Sequence, residues 1–222
     1  MSVIKASIYG NSYVGIFGYA TDSFCLIGKG TPAKKMEQIK KALDVEMIEL
    51  TIDSSQLVGI YAIANSKGIL LPSIIDDREY QEVKNKLKDV EVKIFETDLN
   101  ALRNNILVND KIAIINPGYT KKEENIIRDT LDVEVIKMSI GGFNTVGANN
   151  IMTNKGIVFN NRIKEEEIER LEEAIGLTGE QSTANLGSLN IGLSTIANSK
   201  GLVVGETTTG YELARIANSL NL

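Results

Sequence analysis

The sequence predicts an α/β fold: a closed ring of five units of about 44 residues around a pseudo-fivefold axis. Three observations predict it. The first is a register that runs the length of the chain. Ser23, Lys67, Lys111, Lys155 and Lys200 are spaced by 44, 44, 44 and 45 residues. Val14-Gly15, Val58-Gly59, Leu102-Arg103, Val146-Gly147 and Ile191-Gly192 keep the same spacing, and so do Leu43, Leu87, Leu131, Ile175 and Leu220. The second is that each unit contains an amphipathic helical pattern, which excludes the all-strand blades of a propeller of similar period. The third is that the chain starts out of phase. VIKASI at 3–8 matches the strand that follows the helix elsewhere, whereas the C-terminus stops at a fifth helix. The first strand therefore completes the last unit and latches the ring. Open arrays need polar terminal repeats, and the terminal units here are as apolar as the inner ones. The 222 residues thus form one domain of five repeats, at about 9–52, 53–96, 97–140, 141–184, and 185–222 joined by 1–8.

Within a unit the order is strand, hairpin turn, strand, helix, strand. VGIYAIA at 58–64 and ILLP at 69–72 read as two strands joined by Asn65-Ser66-Lys67-Gly68, with glycine at a left-handed position. The hexapeptide IANSKG occurs at 63–68 and again at 196–201; Phe24 and Ile112 replace its glycine in the first and third units. Asp76/Glu79, Thr120/Glu123 and Thr209/Glu212 have the spacing of capping boxes and start helices. In the first unit Thr31 is the expected cap, with Pro32 at the first helical position. Ile163, Ile168, Leu171 and Ile175 form one apolar stripe. VEMIELTI, VEVKIFE and VEVIKMSI follow as strands. The one extra residue of the register falls in the Gly/Ser/Thr-rich stretch 176–190.

Composition excludes several classes of function. There is no histidine, so an imidazole base and His-based zinc sites are ruled out; a single cysteine, Cys25, leaves no thiolate metal set. A net charge of −5 opposes broad nucleic-acid binding, so no DNA partner is expected. No apolar run reaches the ~18 residues of a membrane span, and MSVIKASIYG has no signal-peptide core, so a cytoplasmic protein is expected. No cofactor, metal or catalytic residue is expected. IANSKG lacks the glycines of a phosphate loop and joins two strands instead of opening a helix. The acidic pairs Asp76-Asp77 and Glu123-Glu124, and the run Glu165 to Glu167, sit in first helical turns, where they complement the dipole. Tyr13, Tyr61, Tyr119 and Tyr211 have no basic neighbours of the kind that base stacking uses, so packing or partner contact is expected of them.

Four segments carry a family resemblance: ASIYGNSYVGIFGYATDSFCLI, GIYAIANSKGILLP, LNALRNNILVNDKIAIINP and VGANNIMTNKGIV. Together with the five-unit register, they make the chain resemble archaeal members of the translation initiation factor 6 family, which have the pentein fold. The resemblance implies a monomeric binding protein. It implies docking on the joining face of the large ribosomal subunit, chiefly on an interface ribosomal protein with the sarcin–ricin loop of the rRNA nearby. Small-subunit association would be prevented, and a part in large-subunit maturation is implied as well. The matching segment LNALRN places a partner-contacting asparagine at Asn104; one unit earlier stands Ile60, where eukaryotic relatives commonly carry arginine. In a ring, Ile16, Ile60, Asn104, Ala148 and Leu193 share one face, with Asn105 and Asn149 beside them, and this set is expected to meet the ribosome on its second-to-fourth-unit side. The alternative is a guanidino-modifying pentein enzyme with Cys25 as nucleophile, which lacks the histidine it would need. A ring-shaped scaffold for another partner is a third reading.

Overall fold

In the computed structural model, which describes residues 2–222, five three-stranded sheets stand around an axis. Met1, counted with the segment 1–8 that joins the fifth unit, lies outside the described residues. Strand β1 (Ser2–Ala6) comes first. The first unit then runs through a 3-10 turn (Val14–Ile16), β2 (Gly18–Ala20), β3 (Phe24–Gly28), helix α1 (Ala33–Leu43) and β4 (Glu46–Leu50). The second has α2 (Val58–Tyr61), β5 (Ile63–Ala64), β6 (Gly68–Pro72), α3 (Asp77–Lys86) and β7 (Glu91–Phe95). The third has α4 (Leu102–Asn105), β8 (Ile106–Val108), β9 (Ile112–Ile115), α5 (Lys121–Leu131) and β10 (Glu134–Lys137). The fourth has α6 (Val146–Asn149), β11 (Ile151–Met152), β12 (Ile157–Asn160), α7 (Glu165–Ile175) and β13 (Gly179–Ser182). The fifth has α8 (Ile191–Ser194), β14 (Thr195–Ala197), β15 (Gly201–Gly205) and α9 (Gly210–Ser219).

In every unit the first two strands pair antiparallel, and in the first four the third returns parallel to the second after the long helix. The fifth unit lacks its own third strand. β1 supplies it, running parallel to β15 with Ser2 opposite Gly201 and Ala6 opposite Gly205. The short helical turns touch in cyclic order, from Val14–Ile16 through α2, α4, α6 and α8 back to Val14–Ile16, so the ring is closed. It is a ring of the pentein type.

The cores lie between units. Helix α3 buries Val83 against Phe24 and Leu26 of the first unit as well as Ile69 and Leu71 of its own. Helix α1 does the same at the closing seam, where Ile39 and Leu43 meet Ala6, Ile196 and Val203 from the two ends of the chain. Each unit is incomplete without its neighbour, since part of its apolar surface is buried only against the adjoining unit.

All three predicted capping boxes are formed, at Asp76/Glu79, Thr120/Glu123 and Thr209/Glu212. Other details differ from the sequence reading. The stretch 58–64 is not one strand: Val58–Tyr61 is a turn of helix, and only Ile63–Ala64 pairs. A single helical turn shows no periodicity to distinguish it from a short apolar strand. Pro32 is the N-cap of α1, not its first residue, and the Thr31 hydroxyl donates to Gly28 O at 2.7 Å, not to the helix. The glycine of the hairpin turn is not left-handed. It is needed for space. A Cβ at Gly68 would stand 2.0 Å from Thr130 O, one at Gly156 2.0 Å from Ser219 O, and one at Gly201 1.9 Å from Ala42 O. In each case the next unit's helix ends against the turn. Where Phe24 and Ile112 replace glycine, the side chain is itself part of the core shared with the next unit.

The asparagine of IANSKG ties units together. Asn65 Oδ1 accepts from the Lys67 and Gly68 amides at 3.0 Å, while its Nδ2 donates to Asn109 O and Leu131 O of the next unit. Asn198 repeats this across the closing seam, donating to Thr21 O and Leu43 O. Lys67 and Lys200 reach the carbonyls of Asp132 and Asp44 just past the helices they face.

Candidate docking face

Chain direction gives the ring two unlike ends. Each first strand leaves a short helical turn and runs to a hairpin turn; the second strand runs back, so the long helices start at the helical-turn end and finish at the hairpin end. The loops that precede the helical turns also lie at the helical-turn end. Their tips are held by the helices of their own units. Glu79 accepts from the Asp53 and Ser54 amides at 2.8 and 2.9 Å, Glu167 from Gly141 at 2.9 Å, and Glu212 from Leu186 and Gly187.

The hairpin end closes on a central cavity of about 20 Å³, lined by residues of all five units, among them Tyr19, Asp22, Asn65, Asp110, Asn154 and Asn198. That volume suits about one water molecule, not a metabolite. Asn154 Nδ2 donates to Asp22 at 2.7 Å and to Asp110 at 2.6 Å, and backbone amides of Ser199 and Ser66 satisfy the other carboxylate oxygens. Among the described residues no three His, Cys, Asp or Glu side chains gather as metal ligands would.

Toward the helical-turn end the ring narrows to a waist of glycines. A Cβ at Gly59, Gly147 or Gly192 would stand 2.0, 1.9 or 2.0 Å from the carbonyl oxygen of the preceding unit's Gly15, Arg103 or Gly147. Arg103 alone carries a side chain in this register. It crosses to three other units, donating from Nη1 to Gly147 O at 3.1 Å and from Nη2 to Gly192 O at 2.5 Å, with its guanidinium 5.7 Å from the centre of the Tyr19 ring. Burial lowers its pKa to about 10, so it stays charged at neutral pH. Sequence alone marked Arg103 as the odd member of a glycine register; it did not show that the side chain fills the axis.

Around this plug stand the predicted contact residues. Ile16, Ile60, Asn104 and Leu193 are half-buried, at equivalent places in the helical turns. Ala148, the fifth of the set, is buried. Asn105 and Asn149 are buried too. Asn105 Nδ2 donates to Ala101 O, and its Oδ1 accepts from Asn116 at 2.7 Å. Asn149 bridges to the fifth unit through Asn190 Oδ1 at 3.0 Å. These two hold the helical turns in place. Asn104 differs: its Oδ1 is buried with no hydrogen-bond partner, an unusual state for a buried acceptor.

The same end gathers the exposed large apolar and aromatic side chains of the described residues. They are Tyr9, Ile74, Leu186 and Tyr211. Tyr9 and Leu186 are at loop tips, Ile74 is between β6 and α3, and Tyr211 is in the first turn of α9. All four therefore surround the helical turns. Of these only Tyr211 stood out in the sequence; Leu186 is one of three leucines in the polar stretch 176–190, and nothing in the sequence separates it from Leu177 and Leu189.

Cys25 belongs to the core. It lies on β3, fully buried, and burial pushes its thiol up to about 12.

Comparison with known proteins yields the following. A family model described as "eIF-6 family" matches residues 3–219. Translation initiation factor 6 of Thermococcus onnurineus is 35% identical, covering 99% of this chain and 98% of its own. The protein of the same name from Saccharolobus solfataricus is 37% identical over 99% of both chains. That of Methanocaldococcus jannaschii is 36% identical over 99% of this chain and 98% of its own. Among solved structures, SxtG, an amidinotransferase from Microseira wollei in the saxitoxin biosynthetic pathway, has a TM-score of 0.37 and 15% identity, covering 55% of this chain and 37% of its own. That likeness is too slight to inform fold or activity.

Proposed function

The chain belongs to the eIF-6 family, and on that premise we propose that this translation initiation factor binds the joining face of the large ribosomal subunit and prevents the small subunit from associating. It acts as a cytoplasmic monomer, contributes to large-subunit maturation, and contacts an interface ribosomal protein with the sarcin–ricin loop nearby. The helical-turn end is the docking face. One observation supports that choice above the others: the exposed large apolar side chains gather at that end, where Asn104 also carries its unpartnered acceptor. Monomeric proteins rarely expose clustered apolar surface without using it. A donor on the partner satisfies Asn104, and the net charge of −5 complements a basic ribosomal protein while opposing bare RNA.

No catalytic chemistry is assigned. Cys25, the nucleophile a guanidino-modifying reading would need, is fully buried with a raised pKa, and the chain has no histidine to activate it.

Sucrose-gradient sedimentation tests the reading. The protein is expected to travel with free large subunits and to lower the fraction of joined ribosomes when added. Asn104→Arg places a bulky cation against a basic partner; it is expected to weaken co-sedimentation at least tenfold with an unchanged circular dichroism spectrum. Failure of the wild-type protein to enter the large-subunit fraction would sink the proposal.

A further inference from the structure

We propose that Leu186, with Tyr9 and Tyr211 beside it, is the apolar anchor of the docking face and seats in an apolar, basic-rimmed cleft of a protein partner, not on RNA. The proposal rests on the docking reading above and adds both the part of the face that holds tightest, the seam of the fifth and first units, and the chemistry it meets.

Leu186 is 72% exposed and has φ +64, between Asn185 at +49 and Gly187 at +95. Three consecutive left-handed residues make a conformation that glycine or asparagine adopts at little cost and leucine does not. An exposed leucine also gains nothing from burial. A loop free to relax would escape both penalties. This one is held. The Leu186 and Gly187 amides donate to the Glu212 carboxylate at 3.3 and 2.8 Å, and the Asn185 amide donates to Thr208 Oγ1 at 3.2 Å. The hydroxyls of Thr207 and Thr208 both donate to Asn185 Oδ1 at 3.1 Å, and Asn185 Nδ2 donates to Ser12 O at 2.9 Å. Strain held by so many bonds, on a side chain that contributes nothing to the core, is the pattern of a preorganised binding element.

The equivalent tips of other units do not share this character. Asp53-Ser54 is polar and Gly141-Gly142 has no side chains. The one similar tip is next door: Tyr9 has φ +53, is 48% exposed, and rests edge-on against Phe17 at 5.5 Å. The two loops are joined by the Asn185–Ser12 bond and by the Tyr13 hydroxyl donating to Ser188 Oγ at 3.3 Å. Tyr211, 72% exposed, is the residue before Glu212, which holds the Leu186 tip.

The surrounding charge selects the partner. The segments 8–13, 184–190 and 206–211 contain no lysine or arginine, and Glu206 is exposed among them. Arg215, the nearby cation, is occupied by the Tyr211 hydroxyl and Glu180. RNA binding draws on cations facing phosphate, and the three segments that form this apex contribute none. An apolar apex with an exposed glutamate and no cation among its segments fits a protein cleft with basic side chains at its rim.

Purified large ribosomal subunits are the probe, and co-sedimentation with thermal unfolding gives the readout. Leu186→Gly is expected to keep or raise the thermal midpoint, because glycine suits φ +64, while binding weakens at least tenfold. Leu186→Asp is expected to weaken binding as much, and Asp44→Gly, at a left-handed position on the opposite, hairpin end, to leave it unchanged. If wild-type protein fails to bind, the docking reading fails. If wild type binds and Leu186→Gly binds equally well, the anchor is overturned, and a lowered midpoint that tracks the loss of binding overturns it as a purely structural effect. If wild-type affinity instead falls about a thousandfold between 50 and 200 mM salt, as it does for extensive phosphate contact, the assignment to a protein cleft is overturned in favour of RNA.

Discussion

Glu212 links helix, loop and face through one carboxylate. It accepts from the Thr209 amide and hydroxyl, closing the capping box, and also from the Thr183 hydroxyl and the amides of Leu186 and Gly187. Burial by itself would raise its pKa; the bonds from Thr209, Thr183 and Gly187 outweigh burial and hold the carboxyl below the ordinary range. A carboxyl depressed in the folded state stabilises the fold above its unfolded pKa and loses that contribution as pH falls through the folded value. Wild type is therefore expected to exceed Glu212→Ala by about 2 kcal/mol at pH 7. The gap narrows as pH falls below about 4.3; urea denaturation at both pH values measures it. Cys25 yields a second residue-scale expectation. Its buried, raised thiol should resist a thiol reagent in native buffer and react only after denaturant is added, whereas native labelling within seconds would contradict its burial. The capping role of Glu212 was legible in the Thr-x-x-Glu spacing. Its grip on the Leu186 tip was not, because that contact spans 26 residues and depends on where the loop returns.

At the scale of elements, the hairpin-turn glycines show how a correct residue assignment can carry a wrong reason. Asn65-Ser66-Lys67-Gly68 reads as a turn that needs left-handed glycine, yet the glycine is needed because the next helix ends against it. The repeats exposed the position; only the neighbouring unit exposes the cause. Gly68→Ala and Gly201→Ala are each expected to cost about 3 kcal/mol, since the atoms that must move are backbone carbonyls. Gly142→Ala meets open space at φ +79 and should cost only about 1 kcal/mol, from the left-handed conformation alone. Chemical denaturation of the three variants checks the order. The long helices were legible because two or three turns repeat an apolar stripe. The four-residue turns α2, α4, α6 and α8 were not, so Ile60, Asn104, Ala148 and Leu193 fall at the equivalent places the register gave them but on helical turns instead of strands.

At the scale of the molecule, closure was the most legible property of all. A strand pattern at the start, missing at the end, can be reconciled with five helices only by a ring, and the β1–β15 pairing supplies that ring. The unlike ends were harder to see, since they follow from strand direction and helix length together. Closure leads to a circular-permutation test. Opening the chain between Lys88 and Asp89, after α3, and joining Leu222 to Ser2 through a short linker restores in the fifth unit the helix-to-strand connection of the others. The permutant is expected to fold with a thermal midpoint within a few degrees of wild type; an unfolded product would show that the free latch strand is essential. Deleting residues 1–7 instead should lower the midpoint sharply, because it strips the seam where Ala6 meets Ile39 and Val203.

The latch also sets a timetable for the protein's birth. β1 is made about 200 residues before its partner β15. At about 5–20 residues per second, β1 waits on the order of 10–40 s with its pairing edge unmet while the four intervening units are synthesised. Contacts so distant along the chain are slow to form, and β1 sets Val3 and Ile4 side by side with a single lysine, Lys5. A nascent chain of this fold is thus open to strand exchange with its polysome neighbours until β15 emerges, and pairing of β1 with β15 ends that interval.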